Sequence, residues 1–275
     1  AVQPVLEPAH IRATKRINRM PLSTPANRSC NGKHFDNPFP VPQRSAVPQP
    51  PAQRKARRLV PRLLSWYGKH ARDLPWRRTR DPYAIWISEI MLQQTQVATV
   101  IPYWERWMRA LPTVNHLARA KPERVLKLWE GLGYYSRARN LQAAPHQILK
   151  NHQGQFPDTP EAIRALPGIG RYSAGAISSI AFNLPEPIVD GNVIRILTRL
   201  FGRREDPKAK VLQNELWSLA QTLVHSTEDC AALNQALIES RNSLEVTISV
   251  YHVCEGTRAQ KHLYRMRGTH FVYIS

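Results

Sequence analysis

The chain has 275 residues, 42% of them hydrophobic, with 39 Lys/Arg against 20 Asp/Glu and a formal charge of +19 at pH 7. That length and apolar content exclude a wholly disordered chain and allow one or two domains with a sizeable core, while the lack of any apolar run long enough for a membrane-spanning helix excludes a helical membrane protein. Three cysteines, Cys30, Cys230 and Cys254, are too few and too scattered for a disulfide framework or a four-cysteine metal site, so the expectation is a basic intracellular protein with nucleic acid as first partner, ahead of an anionic membrane surface.

Residues 1–58 hold 11 Lys/Arg, 2 Asp/Glu and ten of the 23 prolines. They show neither helical nor strand period, and the segment is expected to be a disordered basic arm, because it buries too little apolar surface to offset its chain entropy. A solvated tail or wrongly joined upstream sequence is the plainer reading of it, ahead of a nucleic-acid-grazing arm or an organellar transit peptide. From Leu59 the pattern changes. Leu59, Leu63, Trp66 and Tyr67 recur at helical spacing, followed by Ile85, Leu92, Val97, Val100 and Ile101. Further helices are predicted at 104–110, 122–130, 136–150, 160–165, 172–183, 192–201, 210–224 and 229–239, with Pro and Gly between them. The fold class predicted is all-α, a bundle of short helices. Residues 240–275 break the pattern: Val246–Val253 is rich in β-branched residues but has no partner strand, so a poorly structured tail is expected.

Four segments carry polar residues that suggest chemistry. On a helix, Glu89 shares a face with Ile85, Trp86, Leu92 and Gln93, three of them apolar. A carboxyl group desolvated on that face would have a raised pKa and serve as a general acid, although from spacing alone a glutamate at the rim of the stripe with its head in water is the stronger reading. Gln93, Gln94, Thr95 and Gln96 follow it as a polar cluster that either reads base edges or ends the helix. In Gly131-Leu-Gly-Tyr-Tyr-Ser-Arg-Ala-Arg-Asn140, Arg137 and Arg139 suit phosphates and an exposed Tyr suits a wedge between bases; core tyrosines with solvated arginines are an equal alternative. Leu166-Pro-Gly-Ile-Gly-Arg-Tyr172 lies between two helices. Gly168 and Gly170 leave N–H groups uncovered beside a helix N-terminus, a cradle for one phosphate, with Arg171 adding charge; a simple helix–helix turn is the alternative. Asp190 precedes a new helix and reads first as its N-cap. Together Glu89 and Asp190 would supply one protonated and one charged carboxyl group, the equipment for cleaving a glycosidic bond.

In combination, Trp86-Ile-Ser-Glu-Ile-Met-Leu-Gln-Gln-Thr-Gln-Val97, Gly131-Leu-Gly-Tyr-Tyr135, Leu166-Pro-Gly-Ile-Gly-Arg-Tyr172 and Val189-Asp-Gly-Asn-Val193 resemble the adenine DNA glycosylases of the MutY type, in the helix-hairpin-helix glycosylase superfamily. The resemblance runs from about Leu59 to Glu239. It implies a six-helix barrel domain at 81–186 with the hairpin, and a second helical domain from 59–80 and 187–239. It also implies a base-flipping enzyme that removes adenine mispaired with 8-oxoguanine or guanine. By the resemblance, Glu89 protonates the leaving adenine, Asp190 stabilises the positive sugar and Asn192 supports that site. Tyr134 inserts at the lesion, Gln94 and Thr95 lie close to the opposite base, and Gly168, Gly170 and their neighbours bind a backbone phosphate. Tyr172 stands where the endonuclease III type has its Schiff-base lysine, which implies a monofunctional enzyme and places Tyr172 beside the adenine pocket.

The departures from that family lie at the C-terminal side. The family's C-x6-C-x2-C-x5-C ligands for a [4Fe–4S] cluster are missing, with only Cys254 in the expected region, so no cofactor or metal is expected. The usual 8-oxoguanine recognition domain is expected to be absent as well. The break at Ser240 reads as a frameshift, an altered splice or a wrong gene model, ahead of a genuine cluster-free member, and it predicts impaired activity. Alternatives are a catalytically inactive DNA-binding fragment or an endonuclease III-type glycosylase/lyase. The expected partner is double-stranded DNA with A:8-oxoguanine or A:G mispairs. The protein is expected to be a monomer, off the membrane and DNA-associated, in cytoplasm and nucleoid or in nucleus or mitochondrion.

Overall fold

A computed structural model describes residues 51–240; the expected arm over 1–50 and the expected tail over 241–275 lie outside the described residues. Among the described residues the fold is all-α, with twelve helices, one short 3-10 turn and no strand. No described helix is long and apolar enough to cross a membrane.

Helix α1 spans Pro51–His70 and buries Ala56, Leu59, Val60 and Leu63. It starts at Pro51 rather than at Leu59, which corrects the expected arm boundary at 58. The prolines that suggested a loop mislead here, because Pro at the first helical position has its φ preset and loses no intrahelical hydrogen bond. Exposed Arg54, Arg57, Arg58 and Arg62 cover the opposite face. After the turn Pro75–Arg77, α2 runs Pro82–Leu92, capped by Asp81, whose side chain accepts from the Tyr83 N–H. Every residue of α2 from Tyr83 to Met91 is buried, so it is a central helix rather than a surface one.

Helices α3 (Val97–Ala110), α4 (Val114–Arg119), α5 (Pro122–Trp129), α6 (Ser136–Leu141), α7 (Ala143–His152) and α8 (Pro160–Arg164) follow. The predicted single helix over 136–150 is two helices, whereas the helical spacing at Val97, Val100 and Ile101 and the predicted helix over 104–110 belong to one helix, α3. Helix α4 was not predicted; its six residues are too few to show a period. Trp107 and Trp129 meet edge to face with ring centroids 5.8 Å apart. The Trp107 indole N–H donates to the Tyr83 hydroxyl at 3.1 Å, and Tyr83 donates on to the Leu111 carbonyl at 2.8 Å. The Trp129 indole N–H donates to the Gly133 carbonyl at 3.0 Å, so the polar tips of Tyr83, Trp107 and Trp129 each have a partner, as burial requires.

Helix α9 (Arg171–Phe182) packs against α2. Its run of small residues, Ser173 to Ala176 with Ser178 and Ser179, is buried and lets neighbouring backbone approach closely. At Gly175 a Cβ would lie 2.3 Å from the Pro187 carbonyl oxygen, so only glycine fits. Helices α11 (Lys210–Val224) and α12 (Cys230–Glu239) pack on α1, and α10 (Gly191–Leu200) packs on α11 and α12. The buried Asn234 side chain of α12 donates to Ser179 Oγ at 2.8 Å and to the Glu186 carbonyl at 2.9 Å, which pins α12 onto α9 and the segment leading to α10.

Candidate active site

The last turn of α2 carries Glu89, only 7% exposed in a cluster of apolar side chains. It opens onto a cleft of about 1400 Å³ that Tyr172 and Asp190 also line. The three side chains come from three elements. Glu89 is on α2, Tyr172 is in the first turn of α9, and Asp190 is the N-cap of α10. Close packing of α9 on α2, and of the Pro187 backbone on Gly175, brings them together.

Burial pushes the Glu89 carboxyl up from 4.5 to about 7; the charge of Asp190 adds to the rise, while a hydrogen bond with Tyr172 and the charge of Arg77 oppose it. Burial likewise holds the Tyr172 phenol well above 10, with Glu89 and Asp190 adding to the shift, so Tyr172 stays neutral. Asp190 has a different environment. Its Oδ1 accepts from the Asn192 N–H at 2.9 Å and the Val193 N–H at 2.8 Å, and its Oδ2 accepts from Asn192 Nδ2 at 2.9 Å. Burial raises its pKa, and these three donors oppose the rise. The N-cap expectation and the site expectation therefore describe one and the same aspartate. The glutamate with its head in water, stronger on spacing alone, is not what the structure places at position 89.

Gly168 sits at φ +77°, and a Cβ there would press to 3.1 Å on Asn140 Cβ. Gly170 is the N-cap of α9 in extended conformation with open space around its Cα. The backbone at Gly170 is thus uncrowded, and the first N–H groups of α9 have no intrahelical acceptor. Arg171 lies beside them with its guanidinium 3.7 Å from the Trp217 ring centroid, a cation–π contact that holds it in place. Tyr134 is 59% exposed and adopts φ +47°, an uncommon and strained backbone for a bulky residue. Gln94, also at positive φ, is exposed, and Thr95 is half-buried beside it.

Arg137 corrects the expectation of a phosphate contact. It is 8% exposed, and its Nη atoms donate to protein acceptors at the end of α2 and in the loop before Tyr134. Nη1 reaches the carbonyls of Ile90 at 2.9 Å and Met91 at 3.0 Å as well as that of Gln93; Nη2 reaches Thr95 Oγ1 at 3.2 Å and the Leu132 and Gly133 carbonyls at 3.3 Å. A guanidinium engaged in this way has no face for a phosphate.

Sequence reasoning missed Arg77 and Glu239, which also line the cleft. Burial pushes Glu239 up, but Arg72, whose Nε lies 2.7 Å away, and Arg77 together hold its carboxyl below the ordinary value. Arg72 and Glu239 are 167 residues apart, and no periodicity links positions at that separation. The arginine-rich run from Arg72 to Arg80 was the available signal.

The residues present do not fit a [4Fe–4S] cluster. The sequence has three cysteines, one thiolate short of four. The one described, Cys230, is buried, and its thiol points to the Val224 and Thr227 carbonyls at 3.7 and 3.8 Å. Among the described residues no group of three or more His, Cys, Asp or Glu could hold a metal ion.

The family described as HhH-GPD superfamily base excision DNA repair protein matches residues 87–222. Adenine DNA glycosylase of Rattus norvegicus is 49% identical over 186 residues, covering 64% of this chain and 36% of that protein. The Homo sapiens adenine DNA glycosylase is 48% identical over 186 residues and is covered to 34%. The Buchnera aphidicola (strain APS) protein of the same name is 42% identical over 189 residues and covered to 53%. The chain thus spans about a third of the length of these mammalian relatives and about half of the bacterial one. A thermostable thymine-DNA glycosylase superposes with TM-score 0.64 at 27% identity, covering 70% of this chain and 88% of that one. An endonuclease III trapped in a covalent DNA intermediate superposes with TM-score 0.59 at 19% identity, over 76% and 98%, and shows the shared fold alone. This fold, this cleft and these relatives point the same way: residues 87–222 are similar to the HhH-GPD superfamily of base excision DNA repair proteins, and adenine DNA glycosylases are among the chain's homologues.

Proposed function

We propose that the chain binds duplex DNA, takes a mispaired adenine out of the stack and hydrolyses its N-glycosidic bond. The observation that carries this reading is the pair of unlike carboxyl groups in one cleft, Glu89 with its pKa raised to about 7 and Asp190 held by three donors. Protonated Glu89 donates to a ring nitrogen of the adenine. The C1′–N9 electron pair leaves with the base, and positive charge develops on the sugar. Asp190 stabilises that charge as a fixed anion. Water adds at C1′ and loses its proton, giving free adenine and an abasic site. Tyr172 has no amine to trap the sugar, so the strand stays intact.

The mispairs proposed are A:8-oxoguanine and A:G, with Tyr134, Gln94 and Thr95 facing the lesion and Gly168, Gly170 and Arg171 seating a backbone phosphate. The excess of 39 Lys/Arg over 20 Asp/Glu supports the polyanion as partner. A monomer working where DNA is held, without a bound cluster, completes the proposal. A second reading is a DNA-binding fragment without catalysis. It draws on the count of three cysteines, one short of the four that a [4Fe–4S] cluster takes.

Single-turnover excision from an A:8-oxoguanine duplex separates the two. Alkali-dependent strand cleavage by the native sequence and none by Glu89→Gln supports the enzyme. Tight duplex binding with no cleavage by either supports the fragment. A covalent adduct trapped by borohydride would move the assignment to the endonuclease III type.

A further inference from the structure

Arg137 sits where two functional segments meet, and it belongs wholly to neither. The carbonyls it takes from Ile90 and Met91 are end-of-helix acceptors of α2, which have no intrahelical donor. Ile90 directly follows Glu89. The carbonyls of Leu132 and Gly133 belong to the loop that presents Tyr134. The guanidinium plane is also flanked by rings, with the Trp129 centroid at 5.3 Å and the Tyr134 centroid at 5.4 Å. Tyr134 thus stacks on the same group that ties down the end of the acid's helix.

We propose that Arg137 is a positioning residue that sets the register between the Glu89 end of α2 and the Tyr134 loop, so that a side chain inserted at the lesion and the acid above the extruded base move as one body. The proposal rests on the glycosylase reading for its consequence, not for its geometry. Two properties of arginine suit the task. Its flat fork distributes donors to acceptors on both sides, and its faces stack on aromatic rings. A lysine at the same place keeps the charge but offers one compact ammonium without the fork or the flat face, so it fixes neither segment in register.

The test uses the full chain and Arg137→Lys, Tyr134→Ala and the double variant. Three measurements are made on each: amide hydrogen exchange by mass spectrometry, fluorescence of a 2-aminopurine beside the mispair, and single-turnover excision at saturating protein. In Arg137→Lys, exchange should speed up together in 90–96 and 131–136 and stay unchanged in α11. The 2-aminopurine signal should fall to that of Tyr134→Ala, and excision should slow ~10- to 100-fold, the cost of roughly ångström-scale misplacement. The double variant should be no slower than the slower single one.

Exchange that speeds up in only one segment, or single-variant rate losses that multiply in the double variant, would overturn the proposal. If Arg137→Lys loosens the whole chain, Tyr134→Ala decides alone: its ring is exposed, so the fold survives, and 90–96 should still exchange faster once the guanidinium loses its cover. Unchanged exchange there would equally overturn the coupling. A native sequence that excises nothing refutes the glycosylase reading, while the exchange and fluorescence results still judge Arg137.

Discussion

Replacing Glu89 with Gln should stabilise the protein in a strongly pH-dependent way while abolishing excision. Glutamine is the neutral isostere of the protonated carboxyl group, so the variant removes the ionisation and little else. The folded-state pKa of Glu89 is about 7 against 4.5 for the free group, raised chiefly by burial. Below pH 4.5 the group is protonated whether the chain is folded or not, and the variant and native stabilities differ by nothing from this source. Between 4.5 and 7 the unfolded chain has released the proton that the folded chain retains, so native stability falls as pH rises. Above 7 the folded chain releases it too, and the difference levels off at about 3 kcal/mol, the cost of the full displacement at 1.36 kcal/mol per pH unit. Urea unfolding followed by circular dichroism should therefore give Glu89→Gln an advantage under about 1 kcal/mol at pH 5 and about 3 kcal/mol at pH 8. Excision by the native protein should decline above pH 7 as the acid loses its proton. An advantage that is the same at both pH values would refute the reasoning, because it would place the Glu89 head in water.

Asp190 separates charge from capping. Asp190→Asn keeps a good N-cap and should cost little in urea unfolding yet remove excision, whereas Asp190→Ala should lose about 1 kcal/mol as well. Gly175→Ala drives a Cβ against the Pro187 carbonyl at 2.3 Å; a loss of about 1–3 kcal/mol in unfolding and a parallel fall in excision are expected, since Asp190 follows on the same segment. Duplex affinity should fall steeply and log-linearly with salt, and Arg171→Ala should flatten the slope while Arg137→Lys leaves it unchanged, as titrations at several salt concentrations would show.

The helices with an apolar stripe were legible in the residue order, because periodicity reports which face is buried. Helix α11 over Lys210–Val224 matches its predicted range residue for residue. What was not legible depends on tertiary contact. The spacing around Glu89 gave only a partly apolar face; its burial comes from α9, whose small residues let two central helices close on each other. The start of α1 was hidden because Pro51 reads as a breaker in a proline-rich context, although at the first helical position it is tolerated. Arg137 looked like Arg139, a cation two residues from a glycine–tyrosine loop. Only the arrival of the α2 carbonyls 44 to 47 residues back in the chain distinguishes them. The Arg72–Arg77–Glu239 cluster joins the two ends of the described chain and had no local signature.

The chemical difference between the two carboxyl groups follows from where each stands on a helix. Burial raises both, so desolvation alone would leave two similar acids. Asp190 stands at the amide end of α10, where the Asn192 and Val193 N–H groups donate to it and the positive end of the helix dipole favours an anion. Glu89 stands in the last turn of α2 near its carbonyl end, where the dipole opposes an anion, and the one hydroxyl of Tyr172 is its hydrogen-bond partner in the cleft. A single proton shared between them therefore resides on Glu89. The cation that opposes the rise at Glu89 is Arg77 on the cleft wall, and it keeps the acid from becoming too weak to give its proton up. In this cleft opposite helix ends and unequal sets of hydrogen-bond donors thus separate the acid from the anion.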